Sequence, residues 1–148
     1  MRRITIGLLM LSVSGLAAAE DPSMVSTKRL SLATAVTIAQ AAIAECTKQG
    51  IQIGVTVVDR EGIVQVTMRD TIAAQITVPI SKGKAFTAAN FNAATSALVD
   101  RADSAVGRFP GHVMSAGAVP IQVGGSLVGA VGVSGAPSGE TDEVCAQA

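Results

Sequence analysis

The chain has 148 residues, with eleven basic and eleven acidic side chains, one histidine, two cysteines and three aromatics, all phenylalanine. Scattered charge without a basic stripe, and no aromatic platform for stacked bases, excludes nucleic-acid binding. A composition rich in Ala, Val, Ile and Gly excludes disorder and fits a single α/β domain.

The first nineteen residues read as a secretory signal. Arg2 and Arg3 give a charged start, Ile4 to Leu16 is apolar, and Ala17-Ala18-Ala19 provides small residues for cleavage. The apolar stretch is too short to span a bilayer comfortably, so the mature chain is expected to begin at Glu20, free of the membrane. Export places it in the periplasm or outside the cell. Residues 20–29 form a polar lead-in, and residues 30–148 read as one domain.

From Ser31, apolar residues at Leu32, Ala35, Val36, Ala39, Ile43 and Cys46 recur at helical spacing, with Ser31 as N-cap and Gly50 as stop. Ile51 to Val58 reads as a strand. Asp59-Arg60-Glu61-Gly62 supplies a turn, and Ile63 to Arg69 alternates as the second strand of an antiparallel hairpin. A helix follows over about Val78 to Asn92, with Pro79 tolerated in its first turn. Ala85, Phe86 and Ala89 are expected to face inward, with Lys82 and Lys84 at the margin. Thr95 is placed as the cap of a short helix carrying Leu98 and Val99. Val113 to Ala116 is a candidate short strand. Val119 to Val123 and Leu127 to Ser134 flank Gly124-Gly125 as a second hairpin, its latter strand apolar on both faces and therefore central. Glu140, Asp142 and Glu143 open a final helix. Tight hairpins favour an antiparallel sheet of about five strands flanked by helices, an α/β (α+β) arrangement, over a doubly wound parallel one.

His112 stands alone, so a zinc site lacking a second histidine is not supported. A lone imidazole still suffices as one axial ligand of a non-covalently held haem iron; the competing reading is an ordinary loop histidine. Gly132-Val133-Ser134-Gly135-Ala136 lacks the last glycine of a nucleophile elbow. Ser134 to Thr141 has Glu140 where a phosphate loop places lysine, and its acids would repel phosphate. Asp59, Glu61 and Asp70 lie near the ends of the first hairpin, as a weak metal set or as solvated turn acids. No residues are assigned to catalysis. Cys46 and Cys145, exported to an oxidising compartment, are expected to pair; two buried free thiols are the alternative.

Several segments occur together in the order seen in one family. They are Val55-Thr56-Val57-Val58-Asp59-Arg60-Glu61-Gly62, Lys84-Ala85-Phe86-Thr87-Ala88, Ala94-Thr95-Ser96-Ala97-Leu98, Val119-Pro120-Ile121 and Gly129-Ala130-Val131-Gly132-Val133-Ser134-Gly135. On this ordered set the chain resembles the GlcG/HbpS family from about Leu30 to Ala148. The resemblance implies a profilin-like domain, a homo-oligomer, and non-covalent haem binding beside Thr95-Ser96. The chain departs from the family pattern at Asn92-Ala93-Ala94 and at Gly117-Ala118.

The leading expectation is therefore an exported haem-binding accessory protein in haem or redox sensing. Phe86, Phe91 and Phe109 are candidate walls, Lys82 and Lys84 candidate propionate partners, and His112 or Thr95 the candidate iron ligand. The alternatives are a module that binds a small organic acid or other metabolite, and an oligomeric structural or interaction protein without catalysis.

Overall fold

A computed structural model describes residues 23–148; the signal expected over residues 1–19 lies outside the described residues. The elements are α1 (Leu32–Lys48), β1 (Gly54–Asp59), β2 (Val64–Arg69), α2 (Thr77–Phe91), a 3-10 segment (Thr95–Arg101), β3 (Ala118–Val123), β4 (Ser126–Ser134) and α3 (Gly139–Ala146). Both hairpins form, and they join through β1 and β4 into an antiparallel sheet in the order β2-β1-β4-β3.

The sheet has four strands rather than five. The segment expected as an extra strand, Val113 to Ala116, pairs with no strand. Its first amide is instead taken by a helix: Val113 N–H donates to Oγ1 of Thr87 at 2.9 Å.

Strand alternation divides the core into two layers. Val55, Val57, Val131 and Val133 point to one face, where Ala35, Ala39, Ala42 and Cys46 of α1 meet Cys145 and Ala146 of α3. Thr56, Val58, Ala130 and Gly132 belong to the other face, which α2 covers. Helix α2 buries mainly small residues, among them Ser81, Gly83, Ala85, Ala88 and Ala89, and so lies close to the sheet. Contact is tightest at Gly132, where a Cβ would collide with the α2 backbone at Ser81 and Ala85. The buried hydroxyls of Thr56 and Ser81 satisfy each other across this interface at 2.9 Å.

The expected disulfide is present. Cys46 and Cys145 are bridged with their Cα atoms 5.5 Å apart, both fully buried, and the bond fastens the short α3 to α1. Ser31 and Ser138 cap α1 and α3 through their side chains.

Candidate functional site

The sole histidine lies at the centre of the aromatic residues. The His112 ring centroid is 5.2 Å from Phe86, 5.5 Å from Phe91 and 5.9 Å from Phe109. Phe86 and Phe91 come from the second half of α2, whereas Phe109 and His112 come from the loop that follows the 3-10 segment. Phe86 does not point into the sheet core as expected. It stands half-buried between the first hairpin turn and the His112 loop, where a Cβ at Gly62 would overlap its ring and one at Gly111 would touch it. Both glycines have positive φ, 81° and 95°, so both turns depend on residues without a side chain.

The loop is built to hold the imidazole. Ser104 Oγ accepts from Gly107 N–H at 3.0 Å, and the Ser104 carbonyl accepts from Arg108 N–H at 3.1 Å. That turn brings the carbonyl of Val106 to 3.2 Å from Nδ1 of His112. A carbonyl only accepts, so this contact holds the ring proton at Nδ1 and leaves the Nε2 lone pair available in the neutral ring. Metal-bound histidines are commonly oriented in this way by the nitrogen that does not bind the metal. The Arg101 guanidinium covers the Phe91 ring, 4.9 Å from its centroid.

A cleft of about 380 Å³ adjoins the cluster, lined by Pro79, Lys82, Gly83, Phe86 and Gly111. Phe86 is common to both, and Gly111 immediately precedes His112. A larger groove of about 550 Å³ runs between α1, β3 and the C-terminal residues, but no charged or imidazole side chain lines it. Of the two, only the smaller cleft has a charged side chain in its lining, Lys82.

The other sequence-selected residues lie elsewhere. Lys84, expected at the margin of α2, is only 3 % exposed. Its ammonium donates to Asp142 Oδ2 at 2.8 Å and to the Val133 carbonyl at 3.1 Å, which places it on the opposite side of α2 from Lys82. Thr95 is fully buried, and it does not cap the 3-10 segment, whose N-cap is Ala94. Its hydroxyl accepts from Ala118 N–H at 2.9 Å and lies 3.4 Å from the Ala118 carbonyl, closing the start of the edge strand β3. Asp59 is not a solvated turn acid: its Oδ1 accepts from Glu61 and Ile63 N–H, and its Oδ2 meets Arg29. Asp70 Oδ2 accepts from Ile53 N–H. Among the described residues no three His, Cys, Asp or Glu side chains are grouped to hold a metal ion.

Two acids of α3 go beyond the expected helix-start role. Asp142 pairs with Lys84, and Glu143 accepts from Ser96 Oγ, Ser96 N–H and Gly117 N–H at 2.6, 3.1 and 3.1 Å. Their partners are distant in sequence, so no local motif marks them. The only local hint is a lysine on a stripe of small, buried residues in α2.

The cluster brings together one imidazole, whose Nε2 has no hydrogen-bond partner among the described residues, and three phenylalanine rings. Lys82 lies in the adjoining cleft, whose lining does not include His112. Thr95 does not fit as an iron ligand in this fold, because its hydroxyl is enclosed and already bonded to the Ala118 backbone.

Comparison with known proteins agrees with this fold. The chain is similar to Streptomyces reticuli HbpS, solved as a double Glu-to-Asp variant, with 36% identity over 92% of this chain and 94% of that one and a TM-score of 0.81. It is also similar to PduOC in the PduOC–haem complex, at 26% identity over 81% of this chain and 91% of that one, with a TM-score of 0.74. Klebsiella pneumoniae ORFY shares the fold, at 24% identity over 87% of this chain and 93% of that one, with a TM-score of 0.78. No curated protein matches the chain. The profile of the haem degrading protein HbpS-like family matches residues 30–148, and the chain belongs to that family.

Proposed function

We propose that the mature chain is an exported accessory protein that binds haem without a covalent bond, using His112 as iron ligand. The observation that carries this reading is the His112 environment: three phenylalanines around the ring, Nδ1 engaged by Val106, and Nε2 without a hydrogen-bond partner among the described residues. The solved haem complex of the related PduOC supports the choice of ligand class. Phe86 and the cleft beside it supply an apolar bed, and the loop fixes the imidazole before the ligand arrives. Haem, when bound, supplies redox-active iron. The role of the chain is to orient the imidazole and to exclude water from one side of the ring.

Export is supported by the signal pattern over residues 1–19 and by the Cys46–Cys145 bridge, a bond that persists in oxidising compartments. Among the described residues no helix is long and apolar enough to cross a membrane. Assembly as a homo-oligomer is part of the same proposal, on the family resemblance. Titrating the mature protein with haem tests the central point: a saturable Soret band at micromolar haem is expected, with all haem extractable into acidified organic solvent. A titration without saturable spectral change contradicts it.

A further inference from the structure

The 3-10 segment Thr95–Arg101 runs for seven residues, and no side chain of its own caps its start. This tighter helix has poorer hydrogen-bond geometry and rarely runs beyond about three or four residues unsupported. The support comes from α3. Glu143 Oε2 accepts from Ser96 N–H at 3.1 Å, and Oε1 accepts from Ser96 Oγ at 2.6 Å, so the acid supplies the missing cap. Glu143 is itself buried and stands between two anchored residues. Asp142 bonds Lys84, and Cys145 is bridged to Cys46 of α1.

The other end of the segment leads into the His112 loop. Arg101, its last residue, covers the Phe91 ring with its guanidinium. The Arg101 carbonyl accepts from the N–H and the Oγ of Ser104, at 3.0 and 2.7 Å. Ser104 Oγ in turn accepts from Gly107 N–H, in the turn that presents the Val106 carbonyl to Nδ1 of His112. Hydrogen bonds and one short helical segment thus connect the Glu143 carboxylate to the imidazole.

We propose that Glu143 is a positioning residue for His112. By capping the 3-10 segment it fixes the loop that keeps the ring proton on Nδ1 and leaves Nε2 free. The use of that nitrogen rests on the haem reading above, but the tautomer is measured without haem.

His112 is the only histidine, so nitrogen NMR of its ring in the mature chain gives one signal set. At alkaline pH, where the ring is neutral, wild type should be predominantly the Nδ1–H form. Glu143→Gln keeps the size of the side chain but puts an amide donor where one oxygen accepted. It should move the ring toward the Nε2–H form that imidazole favours in water. It should also weaken haem binding by about fivefold, within the range of couplings carried through packed networks, with the band positions unchanged. Ser96→Ala leaves the buried acid in place and should move the tautomer in the same direction, to a smaller extent. Thr95→Ala is the comparison, because it destabilises the fold without touching the Ser96 cap, and its ring should match wild type. A wild-type tautomer in both Glu143→Gln and Ser96→Ala overturns the proposal, as does a Thr95→Ala ring shifted as far as that of Glu143→Gln. A tautomer response in a protein that gives no haem spectrum overturns the haem reading alone and upholds the positioning role.

Discussion

The Lys84 ammonium lies 2.8 Å from Oδ2 of Asp142, and this contact joins α2 to α3 in the protein interior. Both side chains are about 95 % buried. Removing the Lys84 ammonium strands the Asp142 carboxylate in a medium that solvates it poorly, at a cost of about 3–5 kcal/mol. Lys84→Met should therefore lower stability to urea by about that amount. The double variant Lys84→Met, Asp142→Leu should recover much of the loss, because no charge is left unpaired. A single variant as stable as wild type would contradict the role given to the pair.

The same pair predicts a pH dependence. Burial raises the Asp142 carboxyl above its ordinary value, opposed by the Lys84 ammonium and the Ala136 amide, which lower it. A carboxyl raised on folding binds more protons in the native state than in the unfolded chain. Its contribution to stability is full below the unfolded value and is lost as pH rises through the folded one. Wild type should gain stability relative to Asp142→Asn as pH falls through that window. Urea unfolding at stepped pH checks the sign; a relative loss on acidification would mean that the Lys84 charge dominates.

The Cys46–Cys145 bridge closes a loop of 99 residues, for which the chain-entropy model allows about 4–5 kcal/mol. Helix α3 has eight residues and little intrinsic stability alone, so it depends on this bond and on its buried acids. Cys46→Ala with Cys145→Ala is expected to lower stability by about 2–5 kcal/mol. Thiol labelling of denatured, non-reduced wild type should find no free thiol.

Thr95 is predicted to act on stability and not on ligand binding. Its hydroxyl satisfies the buried Ala118 amide, and Thr95→Ala leaves that amide without a partner, costing about 1–3 kcal/mol. Thermal unfolding should show the loss while the haem spectrum keeps its wild-type band positions. A spectral shift without destabilisation would return the iron to the Thr-Ser segment.

What could be read from the sequence follows the range of the interactions concerned. Helix α1 was legible because Ser31, its apolar spacing and Gly50 act within a few residues. The two hairpins were legible because turn residues and alternation lie side by side. Cys46 and Cys145 were legible by count and compartment, although their separation was not. The burial of Lys84 was hidden because its acid lies 58 residues away, and the acids of α3 looked like ordinary helix-start charges. The fifth strand failed because Val113 gives its amide to a threonine of α2, a contact with no local signature. The three phenylalanines are candidate walls by composition, being the only aromatic side chains besides His112. Their convergence on His112 depends on the turn held by Ser104 and on Gly62 and Gly111, which only the fold brings together.

The most direct measurement is a haem titration of His112→Ala beside wild type, read by Soret and visible absorbance with far-UV circular dichroism as the control for folding. The account predicts that the bands shift or disappear in His112→Ala while the circular dichroism stays unchanged. Wild-type bands in a folded His112→Ala protein would contradict it, because the imidazole would then not be the ligand of the iron.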